Sequence, residues 1–556
     1  MKDLHSQGSA SDYIEDLSEH SGFDVWERLE DLRIDPIGIN KAQKRDLLQI
    51  PWIDPFLAGR IIEYRKKKGG FTNLEELLEV EGVSESIYLR TVPYLKLDRK
   101  LDMMMRLDTR KKAEADDVKM KLTTSGGNFT SGLKAARYYD GASSLSGYLL
   151  TEVPFCRSAS VLVGDMYLRL GQGLVSWSAF GALRSPDRPI VYPLAGGGLR
   201  GTTSIVGKNV QRGVAVKFSR DSFHITLSNT MARNGGGKRR INAVTCTVEP
   251  NERVRCEGSI LSLGDGVLFT GGMLEFEFEA GTGFAEVVRR SPGGHSMLFG
   301  LQRTSASTSF LILYRRLSPD YLAPLGFDMS LGGTGMGNFE ALYTGLMVGK
   351  GKTVELAFYR DIGRRIYTGR SYTPTRFDYL SISLKLRPFQ RFTSRFSLRQ
   401  EEDESHSGSG HRERQSRIRW DLTLRPASGL TLRTRTQLSR GKDGEENWQS
   451  SLYFAELRTR APLGFDVRSR FTTYNCSDGG YLYIAEGGLP ERSLIMRLSG
   501  EGETYQMVIS KRIGDSWVAR LKLSNVVRRR DKYERGFEFE NWLAEYSTEF
   551  QLECRF

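Results

Sequence analysis

Residues 380–387 read Leu-Ser-Ile-Ser-Leu-Lys-Leu-Arg, an unbroken alternation of apolar and polar side chains. Side chains of a β-strand point to opposite faces with a period of two. This stretch is therefore a strand with an oily side, Leu380, Ile382, Leu384 and Leu386, and a wet side, Ser381, Ser383, Lys385 and Arg387. The same period returns at Ile418, Trp420, Leu422 and Leu424 against Arg417, Arg419, Asp421, Thr423 and Arg425. It returns again at Phe550, Leu552, Cys554 and Phe556 against Gln551, Glu553 and Arg555. From about Val118 to Phe556 more than twenty such runs follow one another, roughly 15–20 residues apart.

So many strands need a closed surface to hide their edges. A barrel in a membrane inverts the soluble arrangement, turning the apolar side to lipid and the polar side to the lumen. Counting runs predicts about 22–26 antiparallel strands, and an even number returns the chain to the side from which it started. Composition agrees: 556 residues with 39% hydrophobic content and a mean hydropathy of −0.39 exclude a bundle of membrane helices. The 59 glycines against 17 prolines suit many strands and tight turns. A soluble propeller or solenoid is the competing all-β reading. Against it, no blade motif of constant period recurs, and arginines fall on one face of strand after strand. Long connections are expected at Ala182–Gln211, Ser318–Asn338, Gln400–Gln415 and Asn525–Glu545, any of which can fold inward or face solvent.

The first hundred residues carry different chemistry. Met1 to Asp35 holds ten carboxylates against Lys2, Arg28 and Arg33, roughly −7. Residues 37–100 hold about twelve Lys and Arg against nine acids, roughly +3, so of the total of +13 the barrel region keeps about +17. From Ile39 onward apolar spacing turns helical. Asn40 is the expected N-cap of a helix Lys41–Ile50. A tight connection at Pro51-Trp52-Ile53-Asp54 leads to a helix Phe56–Lys67 that buries Ala58, Ile61, Ile62 and Tyr64. Thr72 and Glu75 form an expected capping box for a helix Asn73–Val80. Glu81-Gly82-Val83-Ser84 then turns the chain into a last helix ending near Leu95. The predicted organisation is an α+β multidomain chain: an acidic, partly helical segment at 1–36, a small all-α domain at 37–96, a linker at 97–117 and a transmembrane barrel at 118–556.

The stretch INKAQKRDLLQIPWIDPFLAGRIIEYRKKKGGFTNLEELLEVEGVSESIYLRTVPYL resembles the tandem helix-hairpin-helix domain of ComEA-like competence DNA receptors. With a barrel behind it, and with Gly164–Gly181 (GDMYLRLGQGLVSWSAFG) and Arg212-Gly213-Val214-Ala215, the chain resembles helix-hairpin-helix outer-membrane β-barrel proteins of Bacteroidetes-type bacteria. The aromatic Phe556 on the apolar face of the last strand is similar to the signal that barrel-assembly machinery reads.

The resemblance implies sequence-independent binding of double-stranded DNA: a G-h-G hairpin at a helix N-terminus aims backbone N–H groups at a phosphate. Here Gly82, Val83 and Ser84 keep one glycine of the second hairpin, whereas Trp52 and Asp54 replace both glycines of the first. Arg60, Arg65, Lys66, Lys67 and Lys68 are the candidate phosphate cations; alternatively they are a solvated helix end, where cations are favoured anyway.

Along the strands, arginine recurs on the polar face: Arg387, Arg395, Arg399, Arg417, Arg419, Arg433, Arg435, Arg468, Arg470 and Arg520. Lining a lumen, they attract anions such as nucleic acid or acidic glycans. Paired with Asp421, Glu456 and Asp466, they instead stiffen the wall. No Ser/His/Asp, metal or phosphate-loop spacing involves the six histidines, so neither enzyme, metal nor cofactor is expected. Five cysteines lack metal spacing; Cys246 and Cys256 flank a turn and can face each other, although two free thiols are favoured.

Two functions are compatible with this reading. In one, an outer-membrane barrel carries a periplasmic domain that binds the DNA backbone, as in DNA uptake. In the other, a channel, transporter or envelope-assembly component uses that domain as a plug inside the barrel or as a dock for a periplasmic protein. Outer-membrane lipid is a partner in both. Met1–Asp12 (MKDLHSQGSASD) has no apolar h-region, so a secretory leader is expected upstream.

Overall fold

A computed structural model describes Leu29, Leu32 and residues 36–50, 52–97, 102–112, 115–126, 129–138, 140–153, 156–177, 198–204, 209–232, 239–251, 253–279, 281–326, 338–349, 352–365, 375–389, 391–404, 412–443, 446–485, 489, 495–514, 516–534 and 537–555. Most of the acidic segment, and Phe556 with its expected assembly role, lie outside the described residues.

The small domain is tied shut by its own ends: Ile37–Gly38 pairs in parallel with Leu95–Lys96. Between them run helix α1 (Lys44–Leu47), helix α2 (Pro55–Lys68), a 3-10 turn (Leu74–Glu79) and helix α3 (Glu85–Thr91). Asp54 caps α2 by accepting the Leu57 N–H at 2.9 Å, Pro55 fills the first turn, and Gly69 at φ 81° ends the helix in the left-handed conformation. Leu57, Ala58 and Ile61 of α2 bury against Ile39, Leu47, Trp52, Leu77 and Tyr94, and Leu29 and Leu32 join the same core.

Two expected caps fall elsewhere. Asn40 does not cap α1, whose first residue follows Gln43. Its amide instead clamps the Phe71 backbone, donating to the carbonyl at 2.9 Å and accepting the N–H at 2.7 Å. Asn73, not Thr72, starts the next turn by accepting the Glu75 N–H at 3.1 Å, and that turn is 3-10 rather than α.

The rest closes into an antiparallel barrel of twenty-four strands, with a short extra strand, Gly198–Gly201, beside Cys156–Arg169. The last strand, Phe537–Arg555, pairs with Asp102–Lys112, which seals the cylinder from Ser547↔Lys112 to Arg555↔Met104. The expected linker 97–117 therefore holds the first strand and the start of the second, Ala115–Gly126, and the barrel begins at Asp102 rather than 118. The residues 525–545, expected as a loop, are likewise the paired ends of Trp517–Glu534 and Phe537–Arg555.

Hairpins are short at the end where the first strand starts, as between Arg220 and Phe223, while connections at the other end range from two residues, as between Lys112 and Ala115, to long ones, as between Leu317 and Phe339. Short turns on one rim and long loops on the other are the habit of membrane barrels. The outer wall agrees. Ile418 and Trp420 are 43% and 49% exposed while Arg419 and Asp421 between and beside them are 3% and 6%. A water-soluble protein does not leave such an apolar belt uncovered, and lipid is the solvent that suits it.

The lumen is not uniformly polar. From Arg240 to about Tyr379 the inner face carries a buried apolar patch that includes Ile241, Leu261, Phe269, Leu311 and Tyr343, alongside buried polar groups such as Glu257, Glu286 and Arg315. What covers them is the chain after Arg169: residues 170–177 turn inward, and Leu170, Leu174, Val175 and Trp177 pack into that wall. Glu257 accepts the Gly171 N–H at 2.7 Å, and Tyr321 donates its hydroxyl to the Leu174 carbonyl at 2.7 Å. The Trp177 and Leu325 carbonyls both accept from the Asn209 side chain, at 3.1 and 3.0 Å. The inward segment thus precedes the stretch expected at Ala182–Gln211.

Candidate functional site

The helix-hairpin-helix face comes first. Gly82 adopts φ 91°, a conformation that favours glycine, and delivers the chain through Val83 to Ser84. Ser84 caps α3 by accepting the Ile87 N–H at 3.3 Å. In the first hairpin the Asp54 carboxylate already occupies the amide that a phosphate would need. The candidate cations have partners within the domain. Arg60 meets Glu63 at 2.8 Å and Glu81 at 3.0 Å; Lys67 meets Glu63 at 2.8 Å. Arg65 turns inward and donates to the carbonyls of Ile39 and Ala42 at 2.7 and 2.8 Å. Lys68 donates to Tyr64 at 2.7 Å and lies 3.3 Å from Glu79. Tyr64 first, then Glu79, hold the Lys68 ammonium above its ordinary value, and the same hydroxyl followed by Lys68 holds the Glu79 carboxyl below its own. Lys66 is exposed, on the same helix end.

Contacts among the described residues join this domain to the barrel. Lys44 Nζ lies 2.8 Å from Glu277 Oε1, next to a short turn. Arg200 donates to Gln49 Oε1 at 3.1 Å, and Lys96 Nζ reaches Ser125 Oγ at 3.5 Å.

The second site is the arginine wall, on the side of the lumen opposite in character to the apolar one. It spans five neighbouring strands: Phe392–Glu404, Arg412–Ala427, Leu430–Asp443, Glu446–Ala461 and Phe465–Cys476. Asp421 gathers Arg419 at 2.5 Å and Arg435 at 2.7 Å, with Arg433 at 4.0 Å. Glu456 gathers Arg458 at 2.6 Å, Arg468 at 2.7 Å and Arg470 at 2.5 Å. Beneath them lies Phe454, whose ring centre is 5.3, 4.9 and 4.6 Å from the guanidinium carbons of Arg433, Arg435 and Arg470.

Of the predicted lumen residues, the structure brings together Arg419, Arg433, Arg435, Arg468 and Arg470. Arg395 stands directly opposite Asp421, and Arg417 opposite Arg399. Arg387 does not join them: it lies past Leu386, the end of its strand, with its backbone N–H on the Thr353 carbonyl at 2.7 Å. Arg458 and Phe454 are the members sequence reasoning passed over, although period two puts 454, 456 and 458 on one face. Cys246 and Cys256 do not face each other either: they pair with Gly258 and Val248 and remain free thiols on the outer wall.

These features define a class: a membrane-spanning antiparallel β-barrel preceded by a helix-hairpin-helix domain. The helix-hairpin-helix motif family matches residues 33–96. No protein of curated function matches the chain in sequence. Among solved structures, the barrel is similar to the P pilus usher PapC translocation pore, with 10% identity over 82% of this chain and 99% of that one and a TM-score of 0.39. It is also similar to the siderophore receptor PirA from Pseudomonas aeruginosa, with 8% identity over 83% and 81% and a TM-score of 0.44. The FrpB iron transporter from Neisseria meningitidis matches at 8% identity over 83% and 82%, with a TM-score of 0.40.

Proposed function

We propose that this protein is a channel or transporter of a bacterial outer membrane whose helix-hairpin-helix domain is a plug, closing the barrel at its short-turn, periplasmic end. The observation that carries this reading is the ion pair between Lys44 and Glu277, which ties the domain to the inner face of the wall. Arg200–Gln49 and Lys96–Ser125 support it from two further strands. Insertion by barrel-assembly machinery through the last strand, Phe537–Arg555, and docking of a periplasmic protein on the plug, belong to the same proposal.

The test is conductance of the full chain in planar bilayers. An exposed or half-exposed ion pair is worth about 0.2–1 kcal/mol, so Glu277→Lys should raise the open fraction by up to about fivefold. Adding Lys44→Glu to that chain should restore the closed level. Equal conductance in all three proteins rejects the plug.

A second reading, binding of duplex DNA backbone as in DNA uptake, is favoured by one observation: the exposed Gly82–Ser84 hairpin keeps its left-handed glycine ahead of α3. It predicts micromolar binding of duplex by the full chain that falls steeply with salt. Absence of binding at low salt retires it. The partners of Arg60, Arg65, Lys67 and Lys68 inside the domain weigh toward the plug.

A further inference from the structure

We propose that the outer, lipid-facing wall holds a site for one phosphomonoester-bearing lipid, between Arg289 and Arg316 at the rim that carries the long connection from Leu317 to Phe339. It needs only that this wall face lipid, and it stands whether or not the small domain is a plug.

Two adjacent cross-strand rows on the outer face carry it. The lower row runs Phe299, Tyr314, Leu342 and Ile362, each directly opposite the next. Phe299, Leu342 and Ile362 are exposed, and the Phe299 and Tyr314 rings stack with centres 6.5 Å apart. Two residues nearer the rim, on the same four strands, stand Met297, Arg316, Glu340 and Arg364, with Arg376 opposite Arg364. The wall thus changes from oil to charge in a single step along the strands. Tyr314 straddles that step, its ring in the lower row and its hydroxyl donating to Glu340 at 2.7 Å. Amphipathic aromatic rings sit at the headgroup level of a membrane, so the upper row lies among lipid headgroups.

Charge in the upper row does not balance. Glu340 is its one carboxylate, and its two oxygens are taken by Tyr314 at 2.7 Å and Arg364 at 2.9 Å. Arg289 stands on the next strand, two residues beyond Val287, which faces Met297. Arg289 and Arg316 are both exposed, and neither forms an ion pair among the described residues. Arg364 and Arg376 add two like charges directly opposite each other, an arrangement that repels unless an anion lies near. Farther from the rim on the same face the pattern is different. There Arg360 meets Asp378 at two points, 3.0 and 2.6 Å. A charge at the depth of the acyl chains must bring its own counter-ion, because none is dissolved there. A cation at headgroup level can take its counter-ion from the lipid.

The geometry also selects the ligand chemistry. A phosphomonoester carries close to two negative charges at neutral pH and three free oxygens. It therefore satisfies both Arg289 and Arg316, whose planar donors match paired phosphate oxygens. The exposed His295 ring, directly opposite Arg289, adds a further N–H. A phosphodiester, with one charge, leaves one of the two cations unmatched. The chains of the same lipid run down over the lower row, a contact that soluble phosphate lacks.

The experiment uses the full chain in detergent, with dioleoyl phosphatidic acid, phosphatidylglycerol and phosphatidylcholine as probes and native mass spectrometry to count bound lipid. One phosphatidic acid per chain, held about tenfold more tightly than phosphatidylglycerol and more tightly still than phosphatidylcholine, is the expected result. Arg289→Gln combined with Arg316→Gln removes two charge-assisted contacts and should weaken binding about tenfold or more. Arg303→Gln, which removes an exposed outward arginine at the opposite rim, should leave it unchanged. Glycerol 3-phosphate at the same concentration as the lipid should not displace it. Heat-modifiable migration on gels confirms that each variant is folded. Equal binding of phosphatidic acid and phosphatidylglycerol, a loss no larger in the double variant than in Arg303→Gln, or displacement by glycerol 3-phosphate overturns the proposal.

Discussion

Glu286 accepts the backbone N–H of Gln172 at 2.7 Å and that of Leu174 at 3.4 Å, from a wall position 2% exposed. One carboxylate thereby holds the inward segment against the barrel, and Gly171 sits so close that a Cβ there would lie 2.4 Å from Glu286 Oε1. Removing the carboxylate leaves two buried N–H groups without their acceptor, at about 1–3 kcal/mol each. Glu286→Ala should release residues 170–177 and expose Arg169 to trypsin. Cleavage at Arg169 no faster than in wild type would show that the Glu257 and Tyr321 hydrogen bonds and the apolar packing hold the segment without Glu286.

A tighter packing constraint sits on the neighbouring strand. Phe284 pairs directly with Gly300, and a Cβ on that glycine would fall 2.0 Å from the ring. The aromatic ring covers the gap the glycine leaves, a known way to stabilise a glycine in a strand. Gly300→Ala should therefore cost about 1–3 kcal/mol through overpacking. Gly258→Ala, where a Cβ meets nothing within 4 Å, is the control and should stay near neutral. Urea unfolding in micelles compares them; equal midpoints would remove the packing argument.

The sequence discloses the barrel where the two faces differ, as at Arg417–Arg425, and hides it where they do not. Asp102–Lys112 does not stand out as a strand because Met103, Met104 and Met105 blur the alternation, and a run of charges follows. Phe310 to Tyr314 reads Phe-Leu-Ile-Leu-Tyr, apolar on both faces. One face meets lipid and the other meets Leu174 and its neighbours, far away in the chain, so no local pattern announces that partner. The arginine wall was legible as residues but not as a cluster, because cross-strand register fixes which arginine meets which carboxylate. In the small domain, Asn40 had the right chemistry for a cap and was claimed by Phe71 from across the domain instead.

Arg65 and Lys67 separate a structural cation from a solvated one. Arg65 holds two backbone carbonyls at the start of the domain, while the Lys67 side chain is 76% exposed. Arg65→Ala should destabilise the domain by about 1–3 kcal/mol, and Lys67→Ala should change stability by less than about 0.5 kcal/mol. Hydrogen exchange of the α2 amides in the full chain gives both values. If Arg65→Ala leaves exchange unchanged, Arg65 is free for a ligand and the DNA reading gains.

The same domain predicts its own response to acid. Glu63 is held below the ordinary carboxylate value of 4.5 by Lys67 and then Arg60, Glu76 by the Thr72 hydroxyl and then Lys68, and Glu79 by Tyr64 and then Lys68. A carboxyl whose value is lowered on folding contributes stability in full above its unfolded value and loses it as pH falls through the folded one. Lys68, raised on folding, contributes below its unfolded value and loses that only as pH rises through the raised one, far on the alkaline side. The network is therefore intact through neutrality and fails first in acid. Protection of the α2 amides should hold constant from about pH 8 to about pH 5, then decline below about pH 4.5. These groups are exposed, so added salt should shrink the decline. Glu79→Gln keeps an acceptor oxygen for Tyr64 and Lys68 but removes the titrating charge, and should flatten the acid limb in part; an acid limb identical to wild type would mean that Glu79 plays no role in it.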